Sequence, residues 1–272
     1  MTEIFLRDEF ASAWHDRDPF ECVDALEGEV FRAREGRRTL RFAMGGKSFF
    51  LKYHRGVGWK EVLKNLIQLR LPIISALSEV RAIEAVAAAG LDTMTIAGYG
   101  QKGINPARIH SFLITDDLAN TLSLEDAGLI WEKTPPDPVF KRALMANVVR
   151  VARSMHEAGI NHRDFYLCHF LMDLARWDIQ DGDAPLYLID LHRAQVRGEV
   201  PWRWLVKDVS GLFYSAMDIG LTARDVLRCM ALYSGKSWRE TLREDKRFWL
   251  AVRERAEKLY RKDKQREAPR WI

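Results

Sequence analysis

Ala158-Gly159-Ile160-Asn161-His162-Arg163-Asp164-Phe165-Tyr166-Leu167-Cys168-His169-Phe170-Leu171 is the stretch on which the reading of this chain turns. Its glycine ends a run of helical periodicity, Val139 to Ala158, which is entered through the rigid Pro135-Pro136-Asp137-Pro138. The polar triplet His162-Arg163-Asp164 follows at once. Alone, three residues are a weak signal, better read as a helix-to-loop junction with a solvated Arg–Asp pair. The weight comes from what stands on either side.

Downstream, Leu-Tyr-Leu-Ile-Asp at 186–190 is a short apolar strand that delivers Asp190 at its end. Upstream, Glu29 to Arg34, Thr39 to Met44 and Lys47 to His54 are rich in β-formers, and Gly45-Gly46 is a tight-hairpin signal between the last two. This predicts an antiparallel meander with Lys52 on its third strand. Helical periodicity follows over 59–70, ended or kinked by Pro72, and again over 76–89, stopped by Gly90, with Glu79 near the start. Thr93 to Gly98 and Ser111 to Thr115 read as two further strands. Beyond Asp190 the spacing predicts helices over 203–217 and 222–233, the second capped by Thr222 with Asp225, and one long charged helix over 238–264. The lead-in at 8–27 reads as mixed and partly helical.

Lysine on the third strand, glutamate on the helix packed against it, aspartate after a helix and aspartate after a strand reproduce, in order, the signature of protein kinases. The predicted fold is α+β and two-lobed. Residues 1–118 form a strand-rich N-lobe and residues 119–272 a mainly helical C-lobe. The chemistry explains the residue types, because phosphoryl transfer is mostly positioning and charge stabilisation. Lys52 would hold the α- and β-phosphates of ATP, with Glu79 fixing its ammonium. Asp190 would bind Mg²⁺, a hard cation that takes carboxylate oxygen. Asp164 would accept the proton of the attacking hydroxyl, with Arg163 supporting the loop. Asp116, Asp117 and Leu118 would form the hinge that offers backbone groups to adenine, and Asp208 would tie down the catalytic loop.

Departures from the protein-kinase pattern narrow the acceptor. Gly36 alone stands where a glycine-rich loop is expected, and Arg37 and Arg38 either replace its phosphate contacts or make a solvated turn. His169 stands where a kinase has its metal-binding asparagine, so it is a second candidate metal ligand. Tyr166 replaces the lysine found two residues after the base in serine/threonine kinases. Asp190-Leu191-His192 replaces Asp-Phe-Gly. The stretch from Asp190 to Asp208 is short for an activation loop with a peptide platform, and no Ala-Pro-Glu triplet follows. These features point to a small or lipid-linked hydroxyl rather than a protein.

Several stretches together carry a closer resemblance. Arg38-Thr39-Leu40-Arg41-Phe42, Phe50-Leu51-Lys52-Tyr53-His54-Arg55-Gly56, the segment 158–164, Cys168-His169-Phe170-Leu171 and Ile189-Asp190-Leu191-His192-Arg193-Ala194-Gln195 resemble the lipopolysaccharide core heptose(I) kinase family. The resemblance runs from about residue 3 to 235. It implies ATP- and Mg²⁺-dependent phosphorylation of the first inner-core heptose, at its 4-hydroxyl, on a lipid A-core acceptor at the cytoplasmic face of the inner membrane. It also implies association with acyl carrier protein. Within that family His169 and Asp190-Leu191-His192 are the expected forms.

Composition agrees with these expectations and excludes others. The chain has 272 residues, 47% hydrophobic and 29% charged, and a net charge of +4, too mild to imply nucleic acid. Cys22, Cys168 and Cys229 are odd in number and far apart, which argues against a disulfide framework or a cysteine zinc site. No signal-peptide pattern and no apolar run of spanning length is present, so the expectation is a reduced, cytoplasmic protein, peripheral to the membrane. Lys52, Arg55, Lys60, Lys64 and Arg70 face only Glu61 between residues 52 and 70, interleaved with Val62, Leu63, Leu66 and Ile67. Such a basic amphipathic segment would suit an anionic membrane, an acyl chain or an acidic carrier protein, or it would pack on the N-lobe sheet. Residues 251–272 are also basic, and a solvated helix with i,i+4 pairs has the stronger claim there. Trp202 and Trp204, just after the metal-binding segment, would stack on sugar or pack in the core. Two other functions stay open on the residues alone: a kinase of another small hydroxylated acceptor, such as an aminoglycoside, and a pseudokinase scaffold for acyl carrier protein or lipid.

Overall fold

Gly45 and Gly46 both take positive φ, 57° and 75°, the backbone that a two-residue hairpin requires. They join β3 (Arg37–Met44) to β4 (Lys47–Arg55), which pair antiparallel from Arg37 opposite His54 to Met44 opposite Lys47. The sheet grows outward from this hairpin. β2 (Glu29–Arg34) adds on one side, and β6 (His110–Asp116), β5 (Ile96–Lys102) and β1 (Thr2–Leu6) on the other, in the order β1-β5-β6-β4-β3-β2. The computed structural model describes residues 2–34, 36–56, 58–59, 75–105, 107–175 and 185–269.

The period of two along β3 and β4 sorts their side chains. Leu40, Phe42, Phe49, Leu51 and Tyr53 turn to one face. There they bury with Phe10 and Trp14 at α1 (Asp8–Ala13) and with Phe20, Cys22 and Val23 of α2 (Pro19–Ala25). Arg37, Thr39, Lys52 and His54 fall on the other face. That alternation lets one hairpin hold a core and present cations. α3 (Leu77–Ala88) is anchored at its start, where the amide of Ala76 donates to Ser111 Oγ at 3.0 Å.

Two compact units are distinguished: residues 1–84, 94–119 and 191–193 in one, and 85–93, 120–190 and 194–272 in the other. The second unit is built on α4 (Leu124–Lys133), α5 (Pro138–Glu157), α6 (Trp202–Ser215), α7 (Ala223–Ser234), α8 (Trp238–Glu244) and α9 (Lys246–Lys264). Asp137 caps α5, accepting from the amides of Val139 and Phe140, with Pro138 at the first helical position where its missing N–H costs nothing. α6 packs on α9 through Val206, Val209 and Val252, and Met217, just past the end of α6, packs with Ala256 and Tyr260. β7 (Thr121–Ser123), β9 (Phe170–Asp173) and β10 (Leu186–Leu188) form a small sheet, and β8 (Ile160–Asn161) pairs with β11 (Gln195–Val196).

The structure departs from the sequence-based expectations at several elements, the strand expected over Thr93 to Gly98 among them, which runs over Ile96–Lys102. The single helix expected over 238–264 is two, α8 and α9, broken at Asp245. Lys236 holds the Asp245 carboxylate at 2.8 Å and Glu244 at 3.5 Å, which stabilises the corner. β1 was not expected, because its exposed residues form a strand only through pairing with β5. Asp190 lies just past β10 rather than inside the strand. The helix expected over 59–70, Pro72 and most of the basic amphipathic segment lie outside the described residues.

Candidate active site

The first unit places Lys52 and Glu79 together. Lys52 Nζ lies 2.6 Å from Glu79 Oε1, and Glu79 is 2% exposed. Glu79 sits in the first turn of α3, where the helix dipole favours its charge. His54 shares the Lys52 face and stands across from Arg37. Burial, aided by the charges of Arg37, Lys52 and His192, pushes the His54 imidazole down to about 4, so it is neutral at pH 7.

Arg37 and Arg38 part company. Arg38 lies on the core face, where its guanidinium donates to the carbonyl of Leu26 at the end of α2. Adjacent strand residues point to opposite faces, so only Arg37 is placed with Lys52. The expectation that both arginines serve one anion is corrected on that ground. At the expected hinge, the amide of Asp116 donates to Thr95 O and that of Asp117 to Ser48 O. These two amides are therefore taken within the protein. The Asp116 carboxylate forms a two-pronged pair with Arg7, at 2.6 and 2.9 Å, a contact with no forewarning in the sequence.

The second unit holds the loop of His162, Arg163 and Asp164 through a buried carboxylate. Asp208 of α6 is fully buried and accepts from the amides of His162 and Arg163, at 2.6 and 2.8 Å. Gly159, at φ 76°, lets the chain leave α5 and pass Arg197, whose carbonyl oxygen would stand 1.9 Å from an added Cβ. His162 Nε2 lies 2.9 Å from the carbonyl oxygen of Ile189, an acceptor only, so Nε2 carries the proton. Burial holds this imidazole below its ordinary pKa, and it is neutral. The bond ties the loop to the residue before Asp190.

His169 makes the second tie. Its Nδ1 lies 2.7 Å from the carbonyl oxygen of Asp164, and its Nε2 lies 3.6 Å from Asp190 Oδ2. A carbonyl accepts only, so Nδ1 carries a proton. In the neutral tautomer the Nε2 lone pair then faces the carboxylate, as in metal-binding histidines whose other nitrogen is held by a backbone oxygen. The two histidine rings stack, with centroids 5.4 Å apart and planes within 15°. Arg163 and Asp190 both occupy left-handed backbone, at φ 75° and 59°. Non-glycine residues held there mark sites where the surroundings override local preference. Burial pushes the Cys168 thiol up to about 11, which disfavours its thiolate form. No group of three or more metal-binding side chains occurs among the described residues.

Sequence reasoning passed over two further features. Lys207 Nζ lies 4.0 Å from Asp164 Oδ1, and the Trp204 ring is flanked by the cations of Arg163, Arg203 and Lys207 at 4.9, 5.2 and 5.4 Å. The signal available for Lys207 was its place beside Asp208.

Comparison with known proteins gives the arrangement its kin. A curated relative from Pseudomonas aeruginosa, called lipopolysaccharide core heptose(I) kinase WaaP, is 46% identical over 257 residues, covering 94% of this chain and 96% of that protein. A relative of the same name from Escherichia coli K12 is 48% identical, covering 88% of this chain and 90% of its own length. A solved structure described as WaaP in complex with acyl carrier protein superposes with a TM-score of 0.82 at 43% identity, covering 95% of this chain and 99% of the other. The sequence profile of the lipopolysaccharide kinases matches residues 21–233. Agreement of that profile, those relatives and the fold over most of the chain has one reading: the protein belongs to the lipopolysaccharide kinase (Kdo/WaaP) family.

Proposed function

We propose that this protein transfers the terminal phosphoryl group of ATP to the first inner-core heptose of lipopolysaccharide, at its 4-hydroxyl. The observation that carries the reading is the position of His169, hydrogen-bonded to the Asp164 backbone and facing the Asp190 carboxylate. It couples the base to the metal-binding position in one rigid piece. Asp164 accepts the proton of the attacking hydroxyl, and Arg163 supports the loop. Lys52, fixed by Glu79, holds the phosphates, with Arg37 on the same face of the sheet. The segment Asp116, Asp117 and Leu118 contributes adenine contacts through groups other than the two committed amides.

Asp190 and His169 would hold Mg²⁺. The Asp190 carboxylate fits a hard cation that takes its remaining ligands from phosphate and water, and the His169 imidazole is the softer donor of the two. That ion would neutralise phosphate charge during transfer. The heptose assignment is supported by the names of the relatives. The acceptor is lipid-linked, so the site of action is the cytoplasmic face of the inner membrane. No helix among the described residues is long and apolar enough to cross a membrane. α9, which ends in Arg261, Lys262 and Lys264, has suitable charge for an anionic surface.

A second reading concerns a partner and leaves the first intact. The second unit carries a half-open apolar cavity of about 400 Å³, lined by Leu144, Val148, Phe213, Met217, Met230 and Trp249 among others. That is the size of a small-molecule site, and its lining suits a hydrocarbon chain. A structural relative is described in complex with acyl carrier protein. We infer that acyl carrier protein binds here too and that its acyl chain fills this cavity.

The primary test is phosphate transfer from ATP and Mg²⁺ to core lipopolysaccharide lacking core phosphate, comparing wild type with Asp164→Ala at matched melting temperature. Transfer lost only in the variant is the expected result. Wild type that binds nucleotide but transfers nothing would remove the heptose assignment.

A further inference from the structure

Serine/threonine kinases carry a lysine two residues after the catalytic aspartate, and this chain has Tyr166 there. The loop itself therefore lacks a cation at that point, and the structure brings one from another element. Lys207 of α6 sets its ammonium 4.0 Å from Asp164 Oδ1. Its neighbour in sequence, Asp208, holds the amides of His162 and Arg163. One turn of helix thus fixes the base-bearing loop and Lys207 in a common frame.

The surroundings of Lys207 are unusual for a lysine with only a packing role. Trp204, one turn earlier, lies between three cations, those of Arg163, Arg203 and Lys207, all within 5.4 Å of its ring centroid. The Trp204 Nε1 is buried with no hydrogen-bond partner. The indole is therefore held by its faces rather than by its polar edge. The indole gives the cations an aromatic face, and the Asp164 carboxylate stands beside the Lys207 ammonium. A phosphoryl group brought to the Asp164 carboxylate would arrive beside the Lys207 ammonium.

We propose that Lys207 is a catalytic residue, the cation that stabilises the phosphoryl group during its transfer. This rests on the kinase reading above. In the step, the bond from the terminal phosphorus to the oxygen it shares with ADP breaks, and the electron pair leaves with ADP. A bond from the acceptor oxygen to that phosphorus forms, and the acceptor proton passes to the Asp164 carboxylate. Lys207 keeps its proton throughout and neutralises the non-bridging oxygens, a task that grows as charge spreads in the transition state. Trp204 is a positioning residue that holds the lysine stem.

The test compares wild type, Lys207→Ala and Lys207→Arg in steady-state transfer, with nucleotide-induced thermal stabilisation measured alongside. In Lys207→Ala, kcat is expected to fall by about 100-fold while the KM for ATP and the stabilisation by MgATP stay near wild type. Lys207→Arg, which keeps the charge, is expected to recover most of the loss. The second measurement needs no acceptor: MgADP with aluminium fluoride, a mimic of the phosphoryl group in flight, should bind wild type more tightly than MgADP alone, and Lys207→Ala should lose that gain. The proposal is overturned by a kcat within about threefold of wild type in Lys207→Ala. A loss that arginine does not recover and that removes MgATP stabilisation in step would overturn it too, by marking a structural role. Wild type that transfers nothing to heptose yet gains from aluminium fluoride in a Lys207-dependent way would remove the acceptor and keep Lys207.

Discussion

A single imidazole, that of His169, touches the backbone of the proposed base and faces the proposed metal ligand, and a single carboxylate, that of Asp208, holds two amides of the same loop. Replacing Asp208 leaves those amides unpaired in a buried place and lets the loop drift. Asp208→Ala is expected to lower kcat by about 100-fold or more, since displacement of about 1 Å is enough for that, and to destabilise by roughly 2–4 kcal/mol. Chemical denaturation and steady-state kinetics on the same preparation check both. Glu79 makes a parallel case. Glu79→Gln leaves Lys52 without its buried counter-charge, so the KM for ATP should rise, whereas Glu79→Asp should recover part of the loss. His54 makes stability depend on pH. Its folded pKa of about 4 lies below the unfolded value of 6.5, so below 6.5 the unfolded chain binds the extra proton. Stability is level above that pH and falls as pH drops from about 6.5 toward 4. Between pH 7.5 and 5 the loss from this residue is roughly 2 kcal/mol. Denaturant midpoints at the two pH values should show it in wild type and show less of it in His54→Gln.

Elements are placed by a few backbone positions. Gly159 combines positive φ with the close approach of the Arg197 carbonyl, whereas Gly198 has open space around it. Gly159→Ala should therefore destabilise by at least ~2 kcal/mol, and Gly198→Ala by under ~1 kcal/mol; melting temperatures of the pair decide. What could be read from the sequence follows the same division between local and non-local causes. The Lys52–Glu79 pair was legible because each residue stands at a recognisable point of a strand or helix, and the placing of Asp164 after a helix and Asp190 after a strand was legible for the same reason. The Gly45-Gly46 hairpin and the Thr222–Asp225 cap were legible because their causes lie within four residues. β1, the Arg7–Asp116 pair and the Lys207–Asp164 approach were not, because each joins residues far apart in the chain. The break at Asp245 was hidden by charged residues that suit a helix on both sides. Arg38 was misread because two adjacent arginines look like one patch until a strand turns them to opposite faces.

At the scale of the whole molecule, the apolar cavity makes stability depend on what fills it. A ligand bound only by the folded chain stabilises it by about 2.7 kcal/mol at a hundredfold excess over its Kd. Long-chain acyl carrier protein should raise the melting temperature, and the unacylated form should raise it less; equal effects would leave the acyl chain out of the cavity. The left-handed backbone at Arg163 and Asp190 has a consequence for genetics. In a library carrying every substitution at every position, scored once for cellular abundance and once for lipopolysaccharide phosphorylation, the two scores should part company there. Asparagine and glycine at 190 relieve the backbone, so such variants should accumulate normally while inactive, whereas valine and isoleucine should be scarce as well as inactive. At 163 glycine should again be well accumulated among the defective variants, although it gives up the stacking on Trp204.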